Sequence, residues 1–401
     1  MSARPLPSRP PRPNPRTRPA GRCAAALVAA AALVGLVPGP AAAGGRPDSP
    51  TSLQHRLDEL VRAAGGPPGA IAVLRRGDST EVYRAGVAEV GRPGAPRPDD
   101  HMRIASVAKA FSGAVALRLV DRGALALDDT IGQRLPDLPA AWHPVTLRQL
   151  LQHTSGLPDY TGSDAFRAIL GADPHHVFDP HHLLDYAAPV LLFTPGSRYQ
   201  YSNSDNIAVA LMAEAATGRP YEELLGRLVD RPLGLHDTSL PRGYRLPEPY
   251  LHGYDVTPPD APVDVSTMYG ASGAWASGGI VSTPADLASF IGAYGSAGFL
   301  RPQTRRQQLA FVDGASEPAG PGVNAAGLGI FRYTTRCGAV YGHTGNTAGY
   351  TQFAAAAPDG SGAVTVSVSE QITAAARPAL LAQLRDVEEG FVCALLNDRK
   401  P

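Results

Sequence analysis

The order of apolar and polar positions in the first quarter of the chain predicts a helix followed by a hairpin. Residues 52–64 carry apolar side chains at the spacing of one helix face, and residues 69–74 and 80–86 form two strand-like runs. A Gly77-Asp78 turn lies between these runs. Apolar residues at i, i+3 and i+4 favour a helix, and two strand-like runs joined through glycine favour a hairpin.

Later apolar segments predict more helices and a set of late strands. We expect a helix over residues 105–120, beginning near Ser106, and helical patterns broken by proline loops over residues 125–255. Strand patterns resume near the end of the chain, and a terminal helix follows them. The strands are expected at 327–333, 339–343, 349–356 and 363–369, and the helix at 375–396.

These elements predict a fold class and a domain division. Early and late strands complete one sheet when the helical section is inserted between them. We therefore expect an α/β (α+β) fold, in which an antiparallel sheet is flanked by helices and carries an inserted, mostly helical domain. The expected boundaries are a sheet domain at 51–124 and 256–396, a helical domain at 125–255 and a tail at 397–401.

Residues 1–43 have the pattern of a secretory signal peptide. A proline-rich stretch with six arginines and no acidic residue leads into an apolar run at 23–37, and three alanines ending at Ala43 follow. The run is shorter than the roughly 20 residues of a membrane span, and small residues fit a cleavage site. We expect cleavage after Ala43, a linker at 44–50 and a secreted, extracytoplasmic (cell envelope) protein without stable membrane insertion. An uncleaved anchor is the alternative.

The charge of the remaining chain argues against a nucleic-acid partner. The whole sequence has 36 basic and 36 acidic side chains, so loss of the six N-terminal arginines leaves a net charge of about −6. An acidic body lacks the basic patch that nucleic-acid binding uses. We expect no nucleic acid among its partners.

Two cysteines outside the signal predict a disulfide. Cys337 and Cys393 are an even pair, and an exported protein meets an oxidising compartment. Two buried free thiols are the alternative. Neither cysteine has metal-ligand spacing, and prolines place the histidine-rich segment 175–182 in a loop, so we expect no metal and no cofactor.

Lys109 is the first candidate for chemistry. The chain has only one other lysine, Lys400 in the tail, and 34 arginines, so the body of the protein keeps a single lysine. Arginine cannot accept a proton near neutral pH, whereas a desolvated lysine can. Ser106 precedes Lys109 by three positions, which places both on one helix face. The pair suggests a nucleophile and its base.

Two further motifs supply groups for proton transfer and substrate binding. Tyr201-Ser202-Asn203 follows a Pro-Gly turn, and a phenol beside a lysine can shuttle protons. His343-Thr344-Gly345 lies in a predicted strand, where a glycine lets a substrate backbone approach closely. Each motif alone is common by chance, but their order and structural contexts together are specific.

With these motifs the chain resembles the serine hydrolase family of class C β-lactamases, secreted D-alanyl-D-alanine carboxypeptidases and related esterases. The resemblance covers residues 50–395, and the segments 150–157 (LLQHTSGL) and 277–287 (SGGIVSTPADL) are also similar to family signatures. It implies a β-lactamase/transpeptidase-like fold, an acyl-enzyme mechanism and a peptidoglycan stem peptide or β-lactam as partner. We expect a monomer.

The resemblance implies a role for each motif residue. Ser106 would be acylated, and Lys109 would help to remove its proton. Tyr201 would relay a proton to the leaving group and later activate water, while Asn203 would hydrogen-bond the substrate amide.

The resemblance also assigns the His-Thr-Gly strand. His343 stands where class C β-lactamases have lysine, and Streptomyces-type carboxypeptidases are similar to this chain in having histidine. The backbone N–H groups of Ser106 and Asn346 would form the oxyanion hole. Thr344, beside Gly345, would contact the substrate carboxylate or its neighbour.

Other residues near these motifs allow a second interpretation. The triplet 204–206 (SDN) matches the Ser-Asp-Asn motif of class A β-lactamases, but it lies far beyond Ser106 in the chain. We therefore predict that Ser204 and Asp205 begin and cap a helix over 206–216. His153 is expected to support the junction of sheet and helix.

Substrate choice depends on Arg332. The carboxypeptidases hold the free C-terminal carboxylate with a cation on the strand before the His-Thr-Gly strand, and Arg332 is the candidate here. We expect a D-alanyl-D-alanine carboxypeptidase-like hydrolase that removes the terminal D-Ala of stem peptides. If Arg332 points away from the cleft, an esterase or amidase for uncharged substrates is favoured. A class C-type β-lactamase of the same fold is a further alternative, distinguished by rapid deacylation. A non-catalytic cell-wall binding module is the other class, which the intact Ser106, Lys109 and Tyr201 disfavour.

Overall fold

Twelve α-helices lie in the part of the chain that the computed structural model describes, residues 49–397. The signal-peptide prediction and all but Asn397 of the predicted tail lie outside these residues. The helices are α1 Pro50–Arg62, α2 Ala108–Asp121, α3 Ile131–Arg134, α4 Leu147–Leu151, α5 Asp164–Ala172, α6 Asn203–Thr217, α7 Tyr221–Leu225, α8 Arg231–Leu233, α9 Trp275–Gly278, α10 Pro284–Gly295, α11 Pro302–Gln308 and α12 Pro378–Asn397.

Short helical turns connect several of these helices. They are 3₁₀ turns at Ala105–Val107, Ala140–Trp142, Tyr160–Gly162, Pro180–Tyr186 and Ala271–Gly273, and a π-helical turn at Gly226–Asp230.

Strands from both ends of the described chain form one sheet. Its eight strands follow the order β2-β1-β12-β11-β10-β9-β8-β7, and every neighbouring pair is antiparallel. The strands of this sheet are β1 Gly69–Arg76, β2 Ser79–Gly86, β7 Val312–Asp313, β8 Val323–Ala326, β9 Phe331–Thr335, β10 Gly338–Thr347, β11 Tyr350–Ala356 and β12 Gly362–Val368. Four short strands form two separate pairs, β3 Met102–Arg103 with β6 Val281–Ser282 and β4 Tyr254–Asp255 with β5 Val263–Asp264. The predicted fold class, an antiparallel sheet flanked by helices, is confirmed.

Helices cover both faces of the sheet. Helix α1 buries Leu53, Leu57 and Leu60, spaced on one helix face, in a core cluster that also contains Phe391 of α12. A second, larger cluster on the opposite face includes Phe111 of α2 and residues of α6 and α10. The sheet is therefore shielded from water on two sides, and α2 lies inside the protein.

Helix α2 packs too closely for a larger side chain at its centre. A β-carbon on Gly113 would lie 2.9 Å from the Cα of Gly329, in the turn between β8 and β9. All its residues except Arg118 and Val120 are buried. This packing fixes the helix that carries Lys109 between the sheet and the helical section.

The structure corrects the predicted strand at 327–333. Residues 327–330 form a turn there instead, which follows β8, and only residues 331–333 belong to a strand, β9. Gly329 has a φ of +63°, which interrupts an extended strand, and its amide donates to the Leu151 carbonyl. The alternation of glycine with leucine and isoleucine resembled a strand, but it serves this turn.

Three further features bear on the sequence predictions. The inserted segment 125–255 contains helices α3 to α8, and its status as a separate domain stays a prediction. Cys337 and Cys393 are joined by a disulfide that ties the β9–β10 turn to α12. Within residues 49–397, no helix has the length and apolar character needed to cross a membrane.

Candidate active site

A strained turn presents Ser106 at the start of α2. Ala105 has a φ of 47°, in the left-handed region that residues with a β-carbon avoid, and the 3₁₀ turn Ala105–Val107 leads directly into the helix. The two-stranded pairing of β3 with β6 holds the chain just before this turn. Ser106 is half-buried, whereas its neighbours Ala105 and Val107 are buried. The turn thus exposes one hydroxyl at the edge of a packed core.

Lys109 is enclosed next to that hydroxyl. Its Nζ lies 3.0 Å from Ser106 Oγ, and the side chain is 1% exposed. The same Nζ donates to Asn203 Oδ1 and to the Ser277 carbonyl, each at 2.7 Å. Burial lowers the pKa of Lys109 to about 7, although nearby carboxylates, Asp159 first, act in the opposite direction. A substantial fraction of this lysine is therefore neutral at neutral pH and can accept a proton.

Asn203 is held by an aspartate that the motif analysis did not single out. The backbone amide and Nδ2 of Asn203 both donate to Asp159 Oδ2 at 2.9 Å. The other oxygen of Asp159 accepts from the amide and hydroxyl of Thr161. These bonds leave the Asn203 side-chain oxygen pointing at Lys109. The signal for Asp159 was an aspartate just after the 150–157 segment, in a chain where aspartates are common.

Tyr201 contributes a buried phenol without a partner. Its hydroxyl is enclosed and makes no well-formed hydrogen bond with the described residues, although the Ser106 hydroxyl is near enough to affect its pKa. Lys109 Nζ lies 5.0 Å from the centre of the ring. Burial raises the pKa of Tyr201 well above its usual value, so this phenol keeps its proton at neutral pH. It can donate a proton, and an incoming group would satisfy its hydroxyl.

A buried network behind Tyr201 corrects the capping prediction. Asp205 accepts from Ser155 Oγ at 2.5 Å and lies 2.7 Å from His153 Nδ1. Helix α6 begins at Asn203 and has no side-chain cap, so the prediction that Ser204 and Asp205 cap it is wrong. Ser204 binds the loop carbonyl of Pro158 instead. Both side chains lie in the first turn, where loops from elsewhere in the chain offer closer partners than the helix end.

His153 acts as a support in this network. Its ring packs 4.5 Å from the ring of Tyr201, centre to centre. Burial, and then the nearby Lys109, lower the pKa of His153 to about 3, so the imidazole is neutral. Its φ of 56° places it in the left-handed region. This strained, neutral residue fixes the orientation of the Tyr201 ring.

The His-Thr-Gly strand passes directly beside Ser106. A β-carbon on Gly345 would lie 2.4 Å from the Ile104 carbonyl oxygen and 3.0 Å from the Ser106 nitrogen, so only glycine fits. Strand β9 pairs with β10 only as far as Gly342. Beyond that point residues 343–347 of β10 have no ladder partner in β9.

The other residues of this strand are buried or tied down. His343 Nδ1 lies 2.5 Å from the Thr344 carbonyl, and burial lowers the pKa of His343 to about 3. Thr344 Oγ1 donates to the Pro318 carbonyl at 2.6 Å, and Asn346 Nδ2 donates to the Ile372 carbonyl at 2.7 Å. The neutral His343 therefore supplies no positive charge to the site.

The structure does not bring Arg332 to this cluster. Its guanidinium carbon lies 4.8 Å from the centre of the Phe311 ring, and its Nε has no hydrogen-bond partner among the described residues. In the sheet Arg332 is opposite Tyr341, two positions before His343. The candidate cation for a substrate carboxylate is thus stacked on an aromatic ring.

A cavity of about 290 Å³ lies beyond Gly345 along β10, where Thr347 and Ala348 form part of its wall. Most of its lining is apolar, and its walls include Phe166, Leu170 and Tyr269. Gly278 and Thr347 also line it, and these residues follow Ser277 and Asn346 of the site in the chain. The cavity can accept an apolar group next to the nucleophile.

The histidine-rich segment has other contacts. His175 stacks on Tyr244, and His181 Nε2 lies 2.8 Å from Glu214 Oε2. Among residues 49–397, no group of three or more histidine, cysteine or acidic side chains is placed to hold a metal ion.

Comparison with known proteins identifies relatives over most of the chain. The model of the Beta-lactamase family matches residues 55–388. Esterase EstB of Burkholderia gladioli is 32% identical over 333 residues, which are 69% of this chain and 81% of the esterase. A penicillin-binding protein of Bacillus subtilis (strain 168) is 27% identical over 46% of this chain, and the match spans only 41% of that relative.

A solved structure shows the same architecture. The D-stereospecific amidohydrolase from Streptomyces sp. superposes with a TM-score of 0.71 at 30% sequence identity. The superposition covers 80% of this chain and 94% of the amidohydrolase. The β-lactamase/transpeptidase-like fold implied by the motifs is confirmed.

Proposed function

Because this chain belongs to the Beta-lactamase family, we propose that it is an extracytoplasmic serine hydrolase that cleaves an amide bond next to a D-amino acid through an acyl-enzyme on Ser106. The observation that carries the proposal is the 3.0 Å contact between Ser106 Oγ and the enclosed amine of Lys109. A lysine with a pKa of about 7 is a base of the right strength for this step.

The acylation step assigns one proton transfer to each residue. Neutral Lys109 takes the proton of Ser106, whose oxygen forms a bond to the substrate carbonyl carbon. The backbone N–H groups of Ser106 and Asn346 stabilise the resulting oxyanion. The carbon–nitrogen bond then breaks, and Tyr201 gives its proton to the leaving amine. The Lys109 ammonium returns a proton to Tyr201.

Deacylation reverses these roles with water in place of the amine. Water adds to the acyl carbon while neutral Lys109 takes its proton, either directly or through Tyr201, which gives up its own proton as it accepts one. The bond to Ser106 Oγ then breaks, and the Lys109 ammonium returns the proton to the Ser106 oxygen. Asn203 holds the substrate amide while its own side chain is fixed by Asp159. Lys109 and Tyr201 thus begin the next cycle in their original protonation states.

Two forms of this activity differ in the leaving group. The motifs favour a D-alanyl-D-alanine carboxypeptidase acting on stem peptides, whose leaving group is a free amino acid. The position of Arg332 on Phe311 and the neutral state of His343 favour the second form, an amidase or esterase whose leaving group carries no carboxylate. The likeness to a D-stereospecific amidohydrolase supports the same form.

Three substrates and one label test the proposal. The protein is incubated with a fluorescent penicillin, with diacetyl-Lys-D-Ala-D-Ala and with D-phenylalanine amide, and Ser106 is checked for the label by mass spectrometry. We expect labelling of Ser106 and release of D-alanine or ammonia. Ser106→Ala should abolish both, while Ser79→Ala, an exposed serine on β2, should leave both intact.

The pattern of products separates the alternatives. Release of D-alanine selects the carboxypeptidase, release of ammonia alone selects the amidase, and rapid hydrolysis of the penicillin selects a β-lactamase. Absence of both label and product would contradict the proposed enzyme and favour a non-catalytic cell-wall binding module.

A further inference from the structure

A loop beside the His-Thr-Gly strand is held in place at three neighbouring positions. The Tyr199 hydroxyl donates to the Ala315 carbonyl at 2.5 Å, and Ser316 Oγ lies 2.9 Å from the Tyr333 hydroxyl. A β-carbon on Gly314 would lie 2.5 Å from the Tyr199 ring, which shows how closely the loop packs there. The loop backbone is therefore fixed relative to the site.

Glu317 follows these anchors and precedes another. The Pro318 carbonyl accepts a hydrogen bond from Thr344 Oγ1 of β10. The residue before Glu317, Ser316, is hydrogen-bonded to Tyr333 of β9, so both neighbours of Glu317 are fixed to the sheet. The side chain is exposed by surface area and makes no ion pair or hydrogen bond with the residues described, although partial burial, and then the charge of Asp159, raise the pKa of its carboxyl. A fixed backbone with a free carboxylate is the arrangement of a binding group.

The Glu317 carboxylate lies close enough to act on the proposed catalytic groups. Its charge favours the protonated form of Lys109 and raises the pKa of Tyr201 further, in addition to the larger effect of burial. The other carboxylates near Lys109 are Asp159, which is occupied by Asn203 and Thr161, and Asp205, which is occupied by Ser155 and His153. Glu317 is thus the acidic group at this site that still has room for a ligand.

The Glu317 loop and the apolar cavity meet β10 on opposite sides of Gly345 along the strand. The Glu317 loop is tied to Thr344, whereas the cavity is lined by Thr347 and Ala348. Gly345, which contacts Ser106, lies between these positions on β10. If the acyl group occupies the apolar cavity, the leaving group extends toward Thr344 and Glu317.

Neither Arg332 nor His343 supplies a fixed cation to oppose this carboxylate. Arg332 is stacked on Phe311, and His343 is buried and neutral. A substrate that ends in a carboxylate would meet a like charge there, and a substrate with an ammonium group would meet an opposite charge.

We propose that Glu317 forms a binding site for a protonated amine on the leaving group, so that the enzyme prefers amide bonds followed by a basic residue. This inference rests on the proposed acylation of Ser106. The ligand class is a peptide or amide whose leaving portion carries an ammonium group and no carboxylate close to the cleaved bond.

Three matched peptides test the site. Diacetyl-Lys-D-Ala-X-amide is prepared with X as D-lysine, D-norleucine or D-glutamate, which have similar length but different charge. We expect the wild type to cleave the lysine peptide with a kcat/KM about fivefold higher than the norleucine peptide, and the glutamate peptide least. This magnitude suits a single exposed ion pair, which salt screens over about 10 Å.

Variants and salt distinguish a charge effect from a structural one. Glu317→Gln keeps the shape of the side chain, and we expect it to cleave the lysine and norleucine peptides with about equal kcat/KM. We expect the same loss of preference for wild-type protein measured in 1 M NaCl. Glu59→Gln, which removes a carboxylate from the exposed side of α1, should keep the preference. Labelling of Ser106 by fluorescent penicillin is measured in parallel for each variant.

The outcomes separate this inference from the proposed activity. Equal cleavage of the three peptides by the wild type, cleavage of none of them, or an unchanged preference in Glu317→Gln would overturn the ammonium site. Ser106 labelling in the same samples would show that the acylating serine survives that result. Loss of labelling in the wild type would instead contradict the proposed activity itself.

Discussion

Asp159 accepts two hydrogen bonds from Asn203, one from its backbone and one from its side chain, through a single carboxylate oxygen. This contact fixes the amide orientation, because the Asn203 side-chain oxygen must then face Lys109. Asp159 does not touch Ser106 and is a positioning residue. The orientation of the Asn203 amide thus depends on Asp159, a side chain 44 positions away in the chain.

Replacing Asp159 with asparagine should weaken turnover through Asn203. In Asp159→Asn the new side-chain NH2 group faces groups that are themselves donors, which costs roughly 1–3 kcal/mol and corresponds to about a 5-fold to 150-fold loss in kcat/KM. Steady-state kinetics of Asp159→Asn measure the loss, and a positioning role predicts a larger fall in kcat than rise in KM. Asp137→Asn, at an exposed position, should have wild-type kinetics. Equal kinetics for both variants would contradict this role.

Replacing Lys109 with arginine should abolish acylation while keeping the charge. Arginine holds its proton at all accessible pH values, so Ser106 loses its base. The expected fall in the acylation rate is about 10²–10⁴-fold. Labelling by fluorescent penicillin over time measures it, circular dichroism checks the fold, and the exposed Arg84→Lys is the control. Acylation of Lys109→Arg at near the wild-type rate would refute the assigned base.

The acylation rate should follow the protonation of Lys109. Since the pKa of Lys109 is lowered to about 7, the base is protonated and inactive below that pH and free above it. The rate should fall about tenfold per pH unit below 7 and level off above it. Tyr201 adds no second fall below pH 9, because its pKa is raised well above 10. A rate independent of pH between 5 and 9, at constant ionic strength, would be inconsistent with this base.

Adding one methyl group at Gly345 should block the nucleophile. The new β-carbon would meet the backbone of Ile104 and Ser106, which cannot move as a flexible side chain can. We expect Gly345→Ala to lose most Ser106 labelling. Gly171→Ala, in α5, has open space around the same methyl group and should keep full labelling. Similar labelling of the two variants would show that β10 does not need to approach Ser106 so closely.

Removing the disulfide should reduce stability but not activity. The cross-link spans 56 residues, and loop-closure entropy assigns about 4 kcal/mol to a loop of that size. The double variant Cys337→Ala/Cys393→Ala should unfold at lower urea concentration, as should reduced wild-type protein. The kcat at 25 °C should be unchanged, because the cross-link joins a distant turn to α12. An unchanged urea midpoint would contradict a stabilising role.

The sequence predicted the parts of the site that short motifs encode. Ser106 and Lys109 lie three positions apart on a helix start, and Gly345 follows His343 on a strand, so local spacing indicated their shared faces. Asp159 and Glu317 could not be found in this way, because each is placed by bonds to residues far away in the chain. The roles of the motif residues stay predictions until the experiments above are done.

The predicted strands and caps show the same limit. The segment 327–333 was assigned to one strand because its apolar pattern is strand-like, but contacts from Leu151 and Gln308 stabilise a turn. Asp205 was predicted to cap a helix because of its residue type. Its carboxylate instead contacts His153, a buried residue from another loop. Secondary-structure propensity reflects only the local sequence. In the 327–330 turn and at Asp205, contacts with distant parts of the chain determined the structure instead.

The position of β1 between β2 and β12 also constrains how the protein is made. Ala70 pairs with Val368 across about three hundred residues, so the centre of the sheet cannot close until the ribosome has produced nearly the whole chain. Strand β10, which passes Ser106, belongs to that late portion. A nascent or truncated chain ending before it holds the serine and lysine but lacks the opposite wall of the cleft. The cleft would therefore be complete only after β10 has been synthesised and has packed beside Ser106.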